Sequence, residues 1–439
     1  METNFDKLLE DELPKIKDLA TKEGNLSLAL EQLYGLEKQT RATESFSHTS
    51  IVCKEIVKLC FECNEWAQLQ ECLILLSKKR NQSKTVIQHI VQEAMQLLDK
   101  TPDHETKMGL IDTLRSITEG KVYVEVERAR ITRVLCEIKE KEGELRTASK
   151  LLQELQVETF GQMEKREKVD FLLEQMRLCI ALGDWTKCVV ISRKITSKTL
   201  ADESIMDLKI RYYELLSEYY SHKRAYLNNC RCYLEIFQTE SVQKDKQLWT
   251  KALANIVIYT VLTPYGVEQV DLSHRVFKEK NLKDLPIKEL LEIFLTEVLM
   301  DWKTITTKFK ELVSHPIFAK DEGEKGQTWK DFHSRVVEHN IRVIEKYYSL
   351  ITLKRLSELL ELDVDTAERY LAELVSSKTV YAKIDRITGT VNFEKKLLPY
   401  ETMDEWGQKT KNLFGLVEST CQLIQKEYQK SSTRKREKN

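Results

Sequence analysis

The first half of the chain repeats a pattern of hydrophobic and polar residues about every 40 positions. Segments such as KEGNLSLALEQL, ECNEWAQLQECLILL, KEGELRTASKLLQEL and ALGDWTKCVVISRKI each place a turn-forming residue just before an apolar stripe with helical spacing. A period near 40 without strand signals predicts a solenoid of helical hairpins. The turn positions, the last of them a weaker match, are Gly24, Asn64, Gly143, Gly183 and Lys223.

Each repeat is predicted to be two helices joined by a tight turn. A Gly or Asn can end the first helix in the left-handed conformation. Between positions 64 and 143 lies room for one further unit, and a break near Pro102 falls where its turn should be. A small side chain five residues after the turn lets the helices cross closely in three units, at Ala29, Ala148 and Cys188, whereas Leu69 and Asn228 show that the repeat is degenerate.

The second half changes character. Residues 241–328 keep a helical pattern until the polar segment 314–329, which contains Pro and Gly and predicts an exposed loop. Residues 329–398 then give helix, turn, helix and two short strands around a Gly-containing turn, the pattern of a winged helix. After Pro399, an amphipathic helix is predicted over 399–430, and the basic segment 431–439 is predicted to be disordered.

Composition supports this mainly α-helical architecture: a right-handed, TPR/HEAT-like hairpin solenoid over residues 1–240, followed by a winged helix and a C-terminal helix. The 439 residues include only 13 Gly and 6 Pro but are 32% charged, which favours long helices joined by short turns. The longest nearly apolar run, residues 252–262, is too short to span a bilayer. No secretory signal is visible, so we expect the ten cysteines to be reduced thiols in the cytoplasm or nucleus.

Winged helices often read DNA, but the charge of this one argues against it. Over residues 363–378, where the groove-entering helix would lie, four acidic residues face two basic ones, a net charge of −2. A base-reading helix needs Arg, Lys, Asn or Gln towards base edges and cations near phosphates. The whole chain has a net charge of −1 and offers no general attraction for nucleic acid or membrane. We therefore expect no nucleic-acid partner and no membrane partner.

A protein partner is the favoured alternative for the wing. The strands predicted over residues 380–385 and 390–393 form a small sheet with an open edge, which a strand of a neighbouring chain can extend. A solvated edge protected by Lys383 and Asp385 is the competing interpretation. The residues predicted for this docking edge are Val380, Ala382, Ile384, Val391 and Phe393.

Motifs for catalysis are missing from the sequence. There is no GxxxxGK[ST] loop, no HExxH and no Gly-rich serine elbow. Cys60 and Cys63, like Cys230 and Cys232, have metal-like spacing but lie within apolar helical patterns, so buried thiols are favoured over zinc. We predict a chain that is not an enzyme and binds no cofactor and no metal.

Helical hairpins running into a C-terminal winged helix resemble the PCI family, found in the proteasome lid, the COP9 signalosome and translation initiation factor three. The stretches 110–132, 152–181, 329–360 and 382–393 are most similar to a PCI subunit of the lid. The resemblance implies a scaffold whose wing packs beside other winged helices and whose last helix joins a bundle of subunits. Carried onto this chain, the bundle face would be Leu413, Val417, Ile424 and Tyr428.

The resemblance also implies partners. These are the other PCI subunits, the lid deubiquitinase, the proteasomal ATPase ring and the core particle, in a hetero-oligomer found in cytoplasm and nucleus. Three other functions stay open at the level of sequence: a PCI subunit of the signalosome or initiation factor, a winged-helix nucleic-acid binder, and an enzyme with an unrecognised site.

Overall fold

The computed structural model describes residues 12–17, 19, 26–43, 45–309, 315–319, 326–394 and 399–436. The chain divides into two compact units, Met1–Ala252 and Leu253–Asn439, each considered by itself below. The first repeat turn predicted, at Gly24, lies outside the described residues.

The first unit is built of helical hairpins. Its helices have apolar residues at helical spacing and are ended by short polar turns, as the repeat pattern requires. They are α1 Leu26–Ala42, α2 Phe46–Glu62, α3 Trp66–Lys78, α4 Lys84–Leu97, α5 His104–Thr118, α6 Glu125–Lys141, α7 Leu145–Gln153, α8 Lys165–Leu182, α9 Trp185–Ser192, α10 Ser197–Leu200, α11 Met206–His222, α12 Tyr226–Phe237 and α13 Glu240–Lys244. The helix α14, Lys246–Leu262, contains the division between the units.

The turns inside the hairpins share one geometry. Asn64, Gly143, Gly183 and Arg224 have φ values of 57°, 86°, 76° and 54°, the left-handed conformation expected at a helix C-terminus. In each case the next residue donates its N–H to the carbonyl five positions earlier, as Glu65 does to Cys60 (3.1 Å). Three of the predicted turn residues are thus confirmed. The fourth lies at Arg224, because Lys223 is still right-handed with φ −81°.

Successive hairpins stack through buried apolar side chains. The small residues Ala29, Ala148 and Cys188 are completely buried, as the predicted close crossing of helices requires. The further unit expected between positions 64 and 143 has its turn at residues 101–103, between α4 and α5, which agrees with the break predicted near Pro102. Helices α2 and α4, α4 and α6, and α8 and α11 contact one another side by side, so each hairpin packs on the next.

Polar side chains also join neighbouring hairpins. On α8, Asp170 accepts from arginines of both adjacent units, and Glu174 accepts from Arg211 of the following unit. Arg177 donates to both carboxylate oxygens of Glu140 at 2.7 and 2.6 Å. Each pair is separated by about one repeat in sequence, so the ion pairs connect equivalent helices. The pairs are Arg130–Glu167, Arg133–Asp170, Glu140–Arg177, Asp170–Arg211 and Glu174–Arg211.

The second unit combines helices with a small antiparallel sheet. Its helices after α14 are α15 Val267–Phe277, α16 Ile287–Leu295, α17 Trp302–Lys308, α18 Pro316–Ala319, α19 Gln327–Tyr347, α20 Leu353–Leu360, α21 Val364–Ser376 and α22 Pro399–Arg436. The strands are β1 Leu350–Thr352, β2 Lys383–Asp385 and β3 Thr390–Asn392. The strand order is β1-β3-β2. Val391 of the central strand β3 pairs with Ile351 of β1 on one side and with Ile384 of β2 on the other.

Three features of this unit differ from the sequence prediction. The helix predicted through residues 295–313 stops at Leu295 and resumes only at Trp302. Part of the predicted exposed loop is a short helix that buries Phe318 against Trp329, with ring centroids 5.4 Å apart. Strand β1 was not predicted at all; it continues directly from a helical pattern and exists because it pairs with β3.

Helix α22 begins at Pro399, as predicted, and continues to Arg436, six residues into the segment predicted to be a disordered tail. Residues 437–439 lie outside the described part of the chain. Among the described residues, no helix combines the length and the apolarity needed to cross a membrane.

Candidate interaction surfaces

The winged-helix core is closed by the residues that were predicted to form its docking edge. Val380, Ala382, Val391 and Phe393 are buried in one cluster with side chains of α19, α20 and α21, and Ile384 packs partly against it. The assignment of these side chains to a partner-facing surface is therefore corrected. An alternating strand pattern identifies one apolar face, and in this sheet that face covers the domain's own helices.

What the sheet offers a partner is its backbone. The N–H of Phe393 donates to the carbonyl of Ser349, and the N–H of Leu353 donates to the carbonyl of Gly389. The backbone N–H and C=O groups of odd-numbered residues in β3 therefore point towards β1. Those of Thr390 and Asn392 must point towards β2, since backbone polar groups alternate sides along a strand. It follows that Lys383 and Asp385, opposite them, bond to β3, whereas the N–H and C=O of Ile384 point away from the sheet. No strand among the described residues covers that edge.

The outer face of α21 has the charges that the sequence indicated. Asp365, Arg369 and Glu373 are exposed on it, and Glu368 accepts a hydrogen bond from Arg386 of the wing at 2.7 Å. Arg386, a basic residue of the wing that could have contacted phosphate, is therefore already paired with a carboxylate of the same chain. The surface thus has fewer available cations than the sequence count suggested, which weakens the interpretation as a nucleic-acid reader.

Helix α22 presents a second surface. Every side chain described on it, at positions 399, 400 and 402–429, is exposed. The four residues of the predicted bundle face are 60% (Leu413), 51% (Val417), 63% (Ile424) and 75% (Tyr428) exposed. At 100° per residue they lie within about 60° of one another around the helix. Together they form one continuous apolar stripe.

The stripe is wider than the four predicted residues. Ten of the large apolar residues exposed in the described chain lie on α22, a helix of 38 residues, so they are concentrated there. Exposed apolar area this extensive indicates a partner surface. The six that sequence analysis did not name are Tyr400, Met403, Trp406, Phe414, Leu416 and Leu423. The first three recur every three residues, and each of the other three is next to a predicted residue in the sequence, so the pattern could have identified them.

The cysteines with metal-like spacing lie within, or directly after, packed helices of the first unit. Cys60, Cys230 and Cys232 are buried, and burial raises the pKa of Cys232 to about 12, which keeps that thiol protonated. Hydrogen bonds from Cys60 and Tyr34 lower the pKa of Cys72 to about 7, but this sulfur is buried as well. Within the described residues, no group of three His, Cys, Asp or Glu side chains is placed to bind a metal.

His339 lies in the interior of the second unit. It is buried beside Phe294, and its Nε2 lies 3.3 Å from the carbonyl oxygen of Val298. Burial lowers its pKa to about 4, so the ring is neutral near pH 7. It serves packing within the second unit.

Comparison with known proteins agrees with this architecture. A family model described as "PCI domain" matches residues 294–395, and one described as "PSMD12/CSN4, N-terminal" matches residues 28–245. The chain is thus a PCI-domain protein with an N-terminal helical-repeat unit. The second description covers two kinds of protein, so the choice between them comes from relatives that align over nearly the full length.

Such relatives are proteasome subunits by name. The chain is 42% identical over 429 residues to the 26S proteasome non-ATPase regulatory subunit 12 of Dictyostelium discoideum, covering 96% of this chain and 95% of that protein. It is 41% identical over 427 residues to the 26S proteasome regulatory subunit RPN5 of Saccharomyces cerevisiae, covering 97% and 96%. The chain belongs to the family of 26S proteasome non-ATPase regulatory subunit 12, and like its relatives it is a non-catalytic regulatory subunit.

Proposed function

We propose that this chain is a scaffold subunit of the proteasome regulatory particle lid that fixes the relative positions of neighbouring subunits for ubiquitin-dependent degradation. The exposed apolar stripe of α22 carries this proposal. Fully burying a large apolar side chain contributes about 1.5–3 kcal/mol, so ten of them on one helix favour burial against other chains by a wide margin. Family membership supports the proteasome as the particle concerned.

The finer assignment of partners follows the two surfaces. We propose that α22 packs in a bundle with helices of other lid subunits, and that the outward backbone of Ile384 pairs with a neighbouring PCI subunit. The helical-repeat unit would contact further neighbours, among them the deubiquitinase, the ATPase ring and the core particle. Within the described residues none of the ten cysteines is in a disulfide, which supports a reducing compartment such as cytoplasm or nucleus.

The test of α22 is incorporation into the particle. Leu413→Asp combined with Val417→Asp places two charges in the stripe, where burial would leave them without compensation. We expect at least a tenfold loss of the tagged chain from peptidase-active particles, measured by affinity purification and quantitative mass spectrometry. Deletion of residues 399–439 should give the same loss.

Gln408→Asp is the matched control for this test, because position 408 lies on the opposite side of α22 from Leu413 and Val417 and is exposed. Circular dichroism and gel filtration of the isolated chains establish that all variants keep their helical units. Normal incorporation of the double variant would contradict the bundle proposal, as would an equal loss for Gln408→Asp.

A second test addresses the edge of β2. Ile384→Pro removes the one N–H of β2 that points away from the sheet and no bond to β3, because proline is tolerated where a strand faces outwards. We expect a several-fold loss of incorporation with the unfolding midpoint of the second unit nearly unchanged. Ile384→Val, which keeps the N–H and most of the side chain, should incorporate normally.

The contrasting variant is Lys383→Pro. It removes an N–H that bonds to β3 and should lower the unfolding midpoint instead. If Ile384→Pro assembles like the native chain, backbone pairing at β2 is excluded and α22 remains as the proposed contact.

A further inference from the structure

The second unit contains a cavity of about 280 Å³ between α14, α15, α16 and α19. Its volume falls just below the range of about 300–1,000 Å³ typical of small-molecule sites, so an amino-acid side chain fits it better than a cofactor. Apolar residues form one part of the wall and polar residues the other. The apolar part includes Val261, Leu291, Phe294 and Val343.

Arg342 is the residue of interest in this cavity. Its guanidinium carbon lies 3.7 Å from the ring centroid of Tyr265, so the cation stacks on the aromatic face. Its Nε is buried and has no hydrogen-bond partner within the described part of the chain. The hydrogen bond recorded for Nη2, to Nδ1 of His339, is long at 3.5 Å. The Tyr265 side chain also takes part in a hydrogen bond with the guanidinium, so Nε and only part of the rest of the fork are available for a ligand.

The acidic side chains near Arg342 form ion pairs or hydrogen bonds with other residues. Glu297 forms an ion pair with Lys346, Glu345 accepts from the N–H of Tyr381 at 3.1 Å, and Glu338 pairs with Arg335 at 2.7 Å. No described carboxylate lies within 4 Å of the Arg342 nitrogens. Burial lowers the pKa of Arg342, and the attraction of Glu338 and Glu345, which raises it, offsets the loss of water only in part.

A guanidinium in this state is well suited to one kind of ligand. Stacking on Tyr265 fixes the plane of the fork and leaves its edge for two parallel hydrogen bonds. A carboxylate accepts such a bidentate pair, and the bond is strongest where water is excluded. A neutral ligand would leave the buried positive charge without compensation.

We propose that Arg342 binds the carboxylate of an Asp or Glu side chain that another subunit inserts into this cavity. The inference rests on the proposed scaffold function, since it requires a neighbouring chain. It adds a specific anchor to the apolar contacts of α22 and the backbone contact of β2. Arg342 is thereby a candidate determinant of which neighbour is accepted.

The test is zero-length cross-linking in assembled particles. A carbodiimide joins an amine to a carboxylate in contact with it, and Lys346, one helical turn from Arg342, lines the same cavity. We expect a cross-link between Lys346 and an acidic residue of another subunit in native particles. It should fall at least tenfold in Arg342→Met. Arg369→Met, a variant of an exposed arginine that also lies near a tyrosine ring, should leave it unchanged.

A second measurement separates a side-chain carboxylate from a small anion. In the isolated full chain labelled with nitrogen-15 arginine, the Nε–H resonance of Arg342 should shift with N-acetylglutamate more than with chloride at equal ionic strength. A shift with inorganic phosphate but not with N-acetylglutamate would overturn the proposal. So would a Lys346 cross-link confined to Glu297 of the same chain.

The two proposals can fail separately. If particles assemble but the cross-link between subunits is absent from native particles, or is unchanged in Arg342→Met particles, the carboxylate anchor is wrong while the scaffold function stands. If the α22 double variant also assembles normally, the scaffold function itself is contradicted.

Discussion

Helices α8 and α22 have similar amphipathic patterns but opposite surroundings. On α8, Phe171, Leu173 and Met176 are buried between neighbouring hairpins, and even the charged residues of its outer face bind side chains of adjacent units. On α22, no described side chain is buried. The comparison teaches that an apolar stripe shows that a helix needs a partner without showing whether that partner lies in the same chain.

The largest effect expected from this comparison concerns two phenylalanines. Phe171 is 1% exposed and Phe414 is 68% exposed. Phe171→Ala removes a buried ring and should lower the free energy of unfolding of the first unit by about 3–5 kcal/mol. Phe414→Ala should change the stability of the isolated chain by less than about 0.5 kcal/mol. Urea unfolding of the isolated chains measures both.

Equal effects of the two alanine variants would break the comparison, since they would place Phe414 in a core within the chain. Measuring how much of each variant is incorporated into assembled particles sharpens the comparison. There Phe414→Ala should reduce incorporation, because the ring is then buried by partners.

An intermediate effect is expected for the ion pairs between hairpins. Arg177 makes a bidentate bond to Glu140 and a further bond to Glu174 in a partly exposed position. Arg177→Met should lower the free energy of unfolding by roughly 1–2 kcal/mol, less at high salt. Lys409→Ala removes an exposed pair with Glu405 on α22 and should cost less than about 0.5 kcal/mol. Thermal unfolding at low and high ionic strength compares them.

Substitutions of two glycines are expected to change stability with opposite signs. Gly183 ends α8 with φ 76°, so Gly183→Ala should destabilise the first unit by roughly 1–2 kcal/mol, although the added Cβ meets no atom within 4 Å. Gly415 lies within α22 and has open space around it. Gly415→Ala should increase helix stability by up to about 1 kcal/mol. The ellipticity at the helical minimum during thermal unfolding reports both; a loss for Gly415→Ala would contradict the open surroundings of α22.

The repeat turns were predictable because their signal is local. A Gly or Asn before an apolar stripe specifies a left-handed helix end by its own backbone preference, as Asn64, Gly143 and Gly183 do. The last turn was misplaced by one residue because Lys223 and Arg224 carry no such preference. There the packing of α11 on α12 determines where the helix ends.

The sheet of the winged helix shows where local signals fail. Strand β1 has three residues, and only its pairing with β3, about forty residues later, distinguishes it from the end of α19. The alternation over Val380 and Ala382 was detected correctly, but alternation does not say whether an apolar face covers the same chain or another one. The buried cluster on α21 shows that it covers the same chain.

Arg342 and the outward N–H of Ile384 could not be found from the sequence at all. The first matters because Tyr265, far away in the chain, lies against it, and the second because of the direction of bonds made by β3.

The order of residues alone was enough to establish helical hairpins, a winged helix, a last amphipathic helix and the absence of recognisable catalytic motifs, because periodicity and turn residues act over a few positions. Which apolar faces close the chain's own core, which remain for partners, and which charge is left without a counter-ion depend on contacts between distant segments. Those contacts arise only when the chain is folded, since burial and pairing are properties of neighbours in space.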